Sequence, residues 1–255
     1  MRRIRLIVAY DGTGYCGWQI QRNGVTIQGE LEKALQKLLG ETVEVIGASR
    51  TDSGVHALGN IAVFDTESRI PAEKFAIAVN HFLPEDIRIQ KSDEVETEYH
   101  PRYQKTEKIY EYTVLNTVIE LPAWRHYSYH VYQKLDIEMM RKAAGELLGE
   151  HDFSAFCSAG SQVKSKVRTI YDIAVTEEPV PDGNGGRIIR LRVRGNGFLY
   201  NMVRIIAGTL LEAGMGRRSV ESIREAIQTG NRGKAGPTAP PQGLMLIDIH
   251  HAEWE

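Results

Sequence analysis

Ile4, Leu6 and Val8 alternate with Arg5, Ile7 and Ala9, the period of two that marks a half-buried strand. From Ile27 the period changes. Leu31, Ala34, Leu35 and Leu38 recur at helical spacing, with Thr26 as N-cap and Gly40 as the stop. Short β-branched runs at 42–46 and 61–64 then bracket a polar loop, GASRTDSGVHALGN. A helix is predicted from Pro71, with Phe75, Val79, Phe82 and Leu83 on one face, followed by a strand at 87–89. The first hundred residues therefore read β-α-β-β-α-β.

The remainder repeats that order less regularly. Strands are predicted at 109–115, 127–132, 167–176, 187–194 and 244–250, and helices at 136–148, 198–213 and 219–228, the last capped by Ser219. PVPDGNGGR (179–187) has the residues of an exposed hairpin turn. No residue-level repeat accompanies the repeated order. The fold class that follows is α+β: two halves, 1–104 and 105–255, each with helices on one face of a mainly antiparallel sheet, and a cleft between the halves.

Composition narrows the function. The chain has 255 residues, 42% of them hydrophobic, which suffices for one large domain or two modest ones, and its charges are spread along the whole length. That excludes a disordered chain. With 31 Lys and Arg against 33 Asp and Glu the net charge is -2, so any nucleic-acid site must be a local basic patch. Two distant cysteines, Cys16 and Cys157, form neither a disulfide framework nor a thiolate metal site. A start without a signal-peptide cleavage pattern and the lack of a long apolar run predict a cytoplasmic protein with no membrane span.

Several chemical signals compete with plainer readings. Gly12-x-Gly14-x-x-Gly17 after a strand mimics a dinucleotide fingerprint, but WQIQRNG separates it from the next helix, whose N-terminal amides would have to face the pyrophosphate. Turn chemistry explains it better. The eight histidines contain the adjacent His250 and His251 and the pair His126 and His130, but no HExxH motif or mixed ligand cluster, so no metal is expected. GxSxG is absent, which leaves acyl transfer without support. Arg190, Arg192 and Arg194 alternate along a strand and could track phosphates or form a solvated face balanced by acids such as the DEVETE run from Asp93. Lys164, Lys166, Arg168, Arg217 and Arg218 add local positive charge. Tyr110 and Tyr112, beside Lys105 and Lys108, share a strand face that suits base stacking or ordinary cross-strand packing. The loop 47–57 concentrates Ser49, Arg50, Thr51, Asp52, Ser53 and His56 between strands, where a sheet can hold polar groups toward a cleft.

Seven ordered runs carry a resemblance over essentially the whole length: YDGTGYCGWQIQ, SRTDSGVHA, NHFLPEDI, EKIYEYTVLN, HDFSAFCSAG, NGFLYNMVRIIAG and GPTAPPQGLML. Together they make the chain similar to the tRNA pseudouridine synthase I family, also called TruA. The resemblance implies a pseudouridine synthase fold of two ferredoxin-like halves and an isomerase that converts uridine to pseudouridine at positions 38–40, in the anticodon stem-loop of tRNA. It implies Asp52 of the RTD run as nucleophile, Arg50 for base flipping or backbone positioning, Tyr110 stacked on the target uracil and a candidate base, Arg204 paired with Asp52, and Leu244 as a pocket wall. Ser49 and Ser53 stand where the family commonly has Gly and Ala, and Asn201 where His is frequent. Homodimerisation and tRNA as partner are likewise implied.

Pseudouridine formation breaks the bond from ribose to N1 of uracil and rejoins the base through C5 with no redox change, so no cofactor is expected. The carboxylate can add to the ribose, add to the uracil or assist departure of the base; the residues leave these routes open. A non-catalytic RNA-binding module and a nucleotide-dependent oxidoreductase are the competing functions.

Overall fold

The computed structural model describes residues 1–161, 163–180 and 185–251, and in it the contacts divide the chain into two compact units. One is Met1–Thr106 together with the chain from Met245 onward, and the other is Glu107–Leu244. Each is α+β.

In the first unit, strand β1 (Arg2–Tyr10) lies between β3 (His56–Thr66) and β4 (Ile87–Val95), antiparallel to both. Ile4, Leu6 and Val8 of β1 are fully buried, as the alternation predicts. Helix α1 (Ile27–Leu39) begins and ends where the capping residues place it: the Thr26 hydroxyl accepts from Gly29 N, and Gly40 takes the left-handed conformation with φ 75°. Its inner face buries Ile27, Leu31, Ala34 and Leu35. Burial of each larger side chain contributes about 1.5–3 kcal/mol. Helix α2 (Phe75–Asn80) follows a single 3-10 turn, Ala72–Lys74, and Phe75 meets Phe64 of β3 edge to face at 5.4 Å.

Four expectations change in this unit. The helix predicted from Pro71 with Phe82 and Leu83 on its inner face ends at Asn80, and Phe82, beyond that end, is exposed. The strand predicted at 42–46 shrinks to β2 (Ile46–Gly47), which pairs with Val63 and Ala62. Val43 and Val45 are buried nonetheless, and Val45 N donates to the Glu32 carboxylate rather than to a neighbouring strand. Strand β3 starts five residues earlier than its apolar run, because Asn60 pairs with Val8 and, past an irregularity, Ala57 pairs with Tyr10. Strand β4 extends six residues past Ile89, since its polar outer positions hide a ladder that runs to Val95. The last strand, β10 (Leu244–His251), returns to this unit and pairs parallel with β3 at His56 and Ala57.

The second unit has the sheet order β5–β9–β8–β7, with β6 (Tyr129–His130) added parallel to β5 (Thr106–Asn116). Strands β8 (Val167–Pro179) and β9 (Arg187–Gly195) form a long antiparallel pair, and β7 (Gly149–Asp152), which no apolar pattern signals, pairs with β8. The turn expected within 179–187 falls partly on 181–184, outside the described residues; its flanks pair, Pro179 opposite Arg187. The strand expected over 127–132 is only the two residues of β6, so His126 lies outside it.

Helix α3 (Ile137–Gly145) is capped by Asp136, and α5 (Val220–Thr229) by Ser219. Helix α4 (Met202–Gly214) is buried on nearly every side and packs against α3, as an all-round apolar helix must. It begins four residues later than predicted because Asn201 adopts φ 60°, which no helix can contain.

Arg3 and Asp65, on adjacent strands, make a two-pronged ion pair with both contacts at 2.7 Å. The hydrogen bonds from Arg3 hold the Asp65 carboxyl below its ordinary pKa. A depressed carboxylate pKa stabilises the fold above the unfolded-state value, and that stability is lost as pH falls through the folded-state value. Asp65→Asn should therefore cost about 1 kcal/mol at pH 7, and the gap to wild type should narrow below pH about 4. Urea denaturation across that range checks it; a gap independent of pH contradicts it.

Candidate active site

The loop 48–55 joins β2 to β3 and is held by buried groups rather than left to solvent. Ala48 N donates to Ile61 O at 2.7 Å. The side chain of Asn60, fully buried in β3, receives Ser49 N at 3.2 Å and donates to Ser49 O at 3.0 Å. Thr51 is fixed next: its hydroxyl shares a hydrogen bond of 2.7 Å with the phenol of Tyr10, the last residue of β1. Asp52 then opens a turn closed by Val55 N to Asp52 O at 3.2 Å, with Gly54 at φ 77° in the third position, where a type II turn calls for glycine. Asp52 itself remains half-buried.

The segment 11–18 docks directly on that turn. Trp18 N donates to Thr51 O, while Gly54 N and the Ser53 hydroxyl both donate to Tyr15 O. The approach is main chain against main chain. A Cβ at Gly12 would lie 2.1 Å from Val55 O, and one at Gly17, which has φ 87°, would lie 2.6 Å from Thr51 O. Gly14 has nothing within 4 Å. The glycine spacing that mimics a dinucleotide fingerprint thus serves close packing at its first and last members. At the loop entry Gly47 lies flush against the Trp18 indole, where a Cβ would come within 2.5 Å of the ring.

The same segment fixes titratable groups around the turn. Gly12 N donates to Nδ1 of the buried His56 at 3.1 Å, and Asp11 Oδ1 lies 3.1 Å from that nitrogen, which serves one or the other according to whether it carries a proton. Burial, then the hydrogen bond it gives Asp86, raise the Tyr15 phenol far above its ordinary pKa.

Arg50 is exposed beside Asp52. A second guanidinium, which the sequence reading did not select, stands near it: Arg102 Nε donates to Gly47 O at 2.7 Å. Burial first, and then the charge of Arg50, lower the Arg102 pKa.

Tyr110, Arg204 and Leu244 belong to the second unit. Tyr110 is buried in β5 and meets Phe198 edge to face at 5.4 Å. Arg204, in the first turn of α4, donates through Nε to Ala239 O and through Nη1 to Asn201 Oδ1, both at 2.8 Å. The Asn201 amide in turn donates to the Ser158 hydroxyl at 2.9 Å. Asn201 therefore orients the guanidinium, and it is the residue at which the sequence departs from the family's common histidine. Tyr112, fully buried, donates to Pro240 O, and burial raises its pKa strongly against the opposing charge of Arg204. Leu244 is buried at the start of β10.

The arginine stripe of β9 takes its plainer reading. Arg190 pairs with Glu178 and Glu111, and Arg194 with Glu107, so two of its three charges meet carboxylates within the same unit. Asp93 and Glu94 of the acidic run pair instead with Arg5 and Arg2 in the first unit. Arg218 is tied to Glu212, and Arg168 caps main-chain carbonyls. Among the described residues no group of three or more His, Cys, Asp or Glu could hold a metal ion. What the first unit offers chemically is one carboxylate on an immobilised turn, with the exposed Arg50 two residues before it, which suits nucleophilic attack beside an anionic substrate.

Gly12→Ala should destabilise the protein by more than about 2 kcal/mol, as expected of a core clash with backbone. Gly14→Ala should change stability by less than about 0.5 kcal/mol. Equal effects in urea denaturation would contradict the docking described.

The sequence model of the family described as tRNA pseudouridine synthase matches residues 6–104 and 143–251. Three curated relatives align almost end to end. A tRNA pseudouridine synthase A of Ruminiclostridium cellulolyticum is 51% identical, and one of Acetivibrio thermocellus 47% identical, each alignment covering 98% of this chain and 100% of the relative. A tRNA pseudouridine synthase A 2 of Clostridium perfringens is 48% identical over the same shares. With the Asp52 loop, the Arg204 helix and the strand of Leu244 all inside the matched segments, the chain belongs to the tRNA pseudouridine synthase family.

Proposed function

We propose that this protein isomerises uridine to pseudouridine at positions 38–40 of tRNA, in the anticodon stem-loop, with Asp52 as the nucleophile. The observation that carries the reading is the rigid presentation of Asp52. Its turn is fixed by Tyr10, Asn60 and the close contact of Gly12 and Gly17, in a chain that aligns end to end with named synthases. A nucleophile held by second-layer packing needs little reorganisation when substrate arrives.

The remaining roles rest on the family resemblance. Arg204 is assigned to pairing with Asp52; a neighbouring guanidinium lowers an aspartate pKa by about 1–3 units and so keeps the carboxylate charged in a dry pocket. Its anchoring by Asn201 and Ala239 supports a fixed partner rather than a mobile one. Tyr110 is assigned to stacking on the target uracil, a contact that offsets about 1–3 kcal/mol of the cost of extruding the base. Leu244 is assigned to the pocket wall, and Arg50 to base flipping or to holding the backbone. The reading includes a homodimer working in the cytoplasm, for which the family resemblance is the support; no helix among the described residues is long and apolar enough to cross a membrane. The chemistry calls for no cofactor, since the isomerisation is redox-neutral.

Tritium release from tRNA labelled at C5 of uridine tests the proposal. Wild type should release tritium with the product retained in the tRNA, and Asp52→Ala should release none while still binding tRNA. Release by both proteins, or by neither, contradicts it; binding by both without release is the result a non-catalytic RNA-binding module would give.

A further inference from the structure

Residues 100–103 run beside the entry to the Asp52 loop, and nothing in the roles assigned above uses them. Arg102 is an exposed residue whose Nε is anchored on Gly47 O at 2.7 Å, which ties its guanidinium to the start of the loop. Arg50, three residues after Gly47, is exposed as well. Among the described residues no carboxylate lies within ion-pair distance of either guanidinium, although most arginines of the first unit's sheet, Arg2, Arg3 and Arg5, are paired. The anchor on Gly47 O brings the Arg102 guanidinium to the stretch of chain that carries Arg50, and the charge of Arg50 adds to burial in lowering the Arg102 pKa. Two cations without a carboxylate partner on one stretch of chain favour an anion between them.

The surroundings indicate which anion. Tyr103, 83% exposed, stacks on His100 with ring centroids 4.1 Å apart and an interplanar angle of 24°. An exposed, supported aromatic face next to paired guanidiniums suits a chain that offers a phosphate and a base together. A carboxylate ligand would use the charges but not the ring.

We propose that Arg102 and Arg50 jointly clamp one backbone phosphodiester of the RNA substrate next to the nucleophile, Arg102 being a binding residue of the site. The inference rests on the tRNA-modifying reading above. It assigns to Arg102 a contact that fixes the register of the strand relative to Asp52, because the Gly47 anchor ties that guanidinium to the same loop.

The test is equilibrium binding of tRNA at several salt concentrations by wild type, Arg102→Gln, Arg102→Lys, Arg50→Gln and the double variant, with kcat and KM from tritium release. Arg102→Gln should raise Kd at least tenfold at physiological salt and reduce the slope of log affinity against log salt by about one. Arg102→Lys should restore the slope. The double variant should lose less affinity than the product of the two single losses, since both arginines hold one phosphate. An unchanged slope in Arg102→Gln, multiplicative losses in the double variant, or a defect confined to kcat with Kd unmoved overturns the proposal, the last being the signature of a residue that merely braces the loop. Binding is read without turnover, so a wild type that binds tRNA but forms no pseudouridine would refute the functional reading and leave the clamp to be judged on its own.

Discussion

The arrangement depends on two backbones lying closer than any side chain allows. Gly12 and Gly17 meet the turn that carries Asp52 with no room for a methyl group at either position. Hydrogen bonds from Trp18 N, Gly54 N and the Ser53 hydroxyl close the same contact. Loops ordinarily sit over solvent and move. This one is clamped between β3, through Asn60, the end of β1, through Tyr10, and the segment after it, through Tyr15, so the sheet's rigidity reaches the carboxylate within a few covalent bonds.

The second unit solves a similar problem by similar means. Arg204 sits at the start of a helix buried on nearly all sides, and Gly208 in that helix lets the carbonyl of Pro237 approach to where a Cβ would be 1.9 Å away. Ala239 and Arg204 exchange hydrogen bonds in both directions across this seam, and Asn201 supplies the other restraint on the guanidinium. The left-handed conformation of Asn201 both starts the helix and aims its amide, a backbone state that Asn tolerates better than most residues. In each unit a polar functional group is presented by tight, glycine-mediated packing instead of by a flexible arm.

Much of this was legible in the sequence where local rules operate. Thr26, Asp136, Ser219 and Gly40 fix helix ends through their own hydrogen bonds or φ angle, so they are readable without tertiary context. Strand β1 shows in its alternation because one face is buried. The strand predicted at 42–46 failed because its β-branched residues are buried by packing while Glu32 takes the backbone donor of Val45. Strands β4 and β7 are longer or newer than expected because their polar residues pair with partners distant in sequence. The glycine spacing serves, at Gly12 and Gly17, a contact some forty residues away that no local rule announces. Asn60 carried a usable clue: a buried strand is a poor place for an amide unless it holds something. Arg102 carried none, since its partner is a backbone carbonyl. The resemblance supplied Asp52, Arg204 and Tyr110 as a set, and the local structure explains why the loop around the first of them is built from those residue types.

Hydrogen exchange on the native protein tests the central claim most directly, because it reports whether the Asp52 turn is as immobile as its contacts require. The amides of Ala48, Gly54 and Val55, each bonded to main chain, should exchange slowly, on the timescale of those in β1. Exchange at the rate of an unstructured peptide would mean that the glycine contact does not hold the loop, and the account of how this chain presents the Asp52 carboxylate would be wrong.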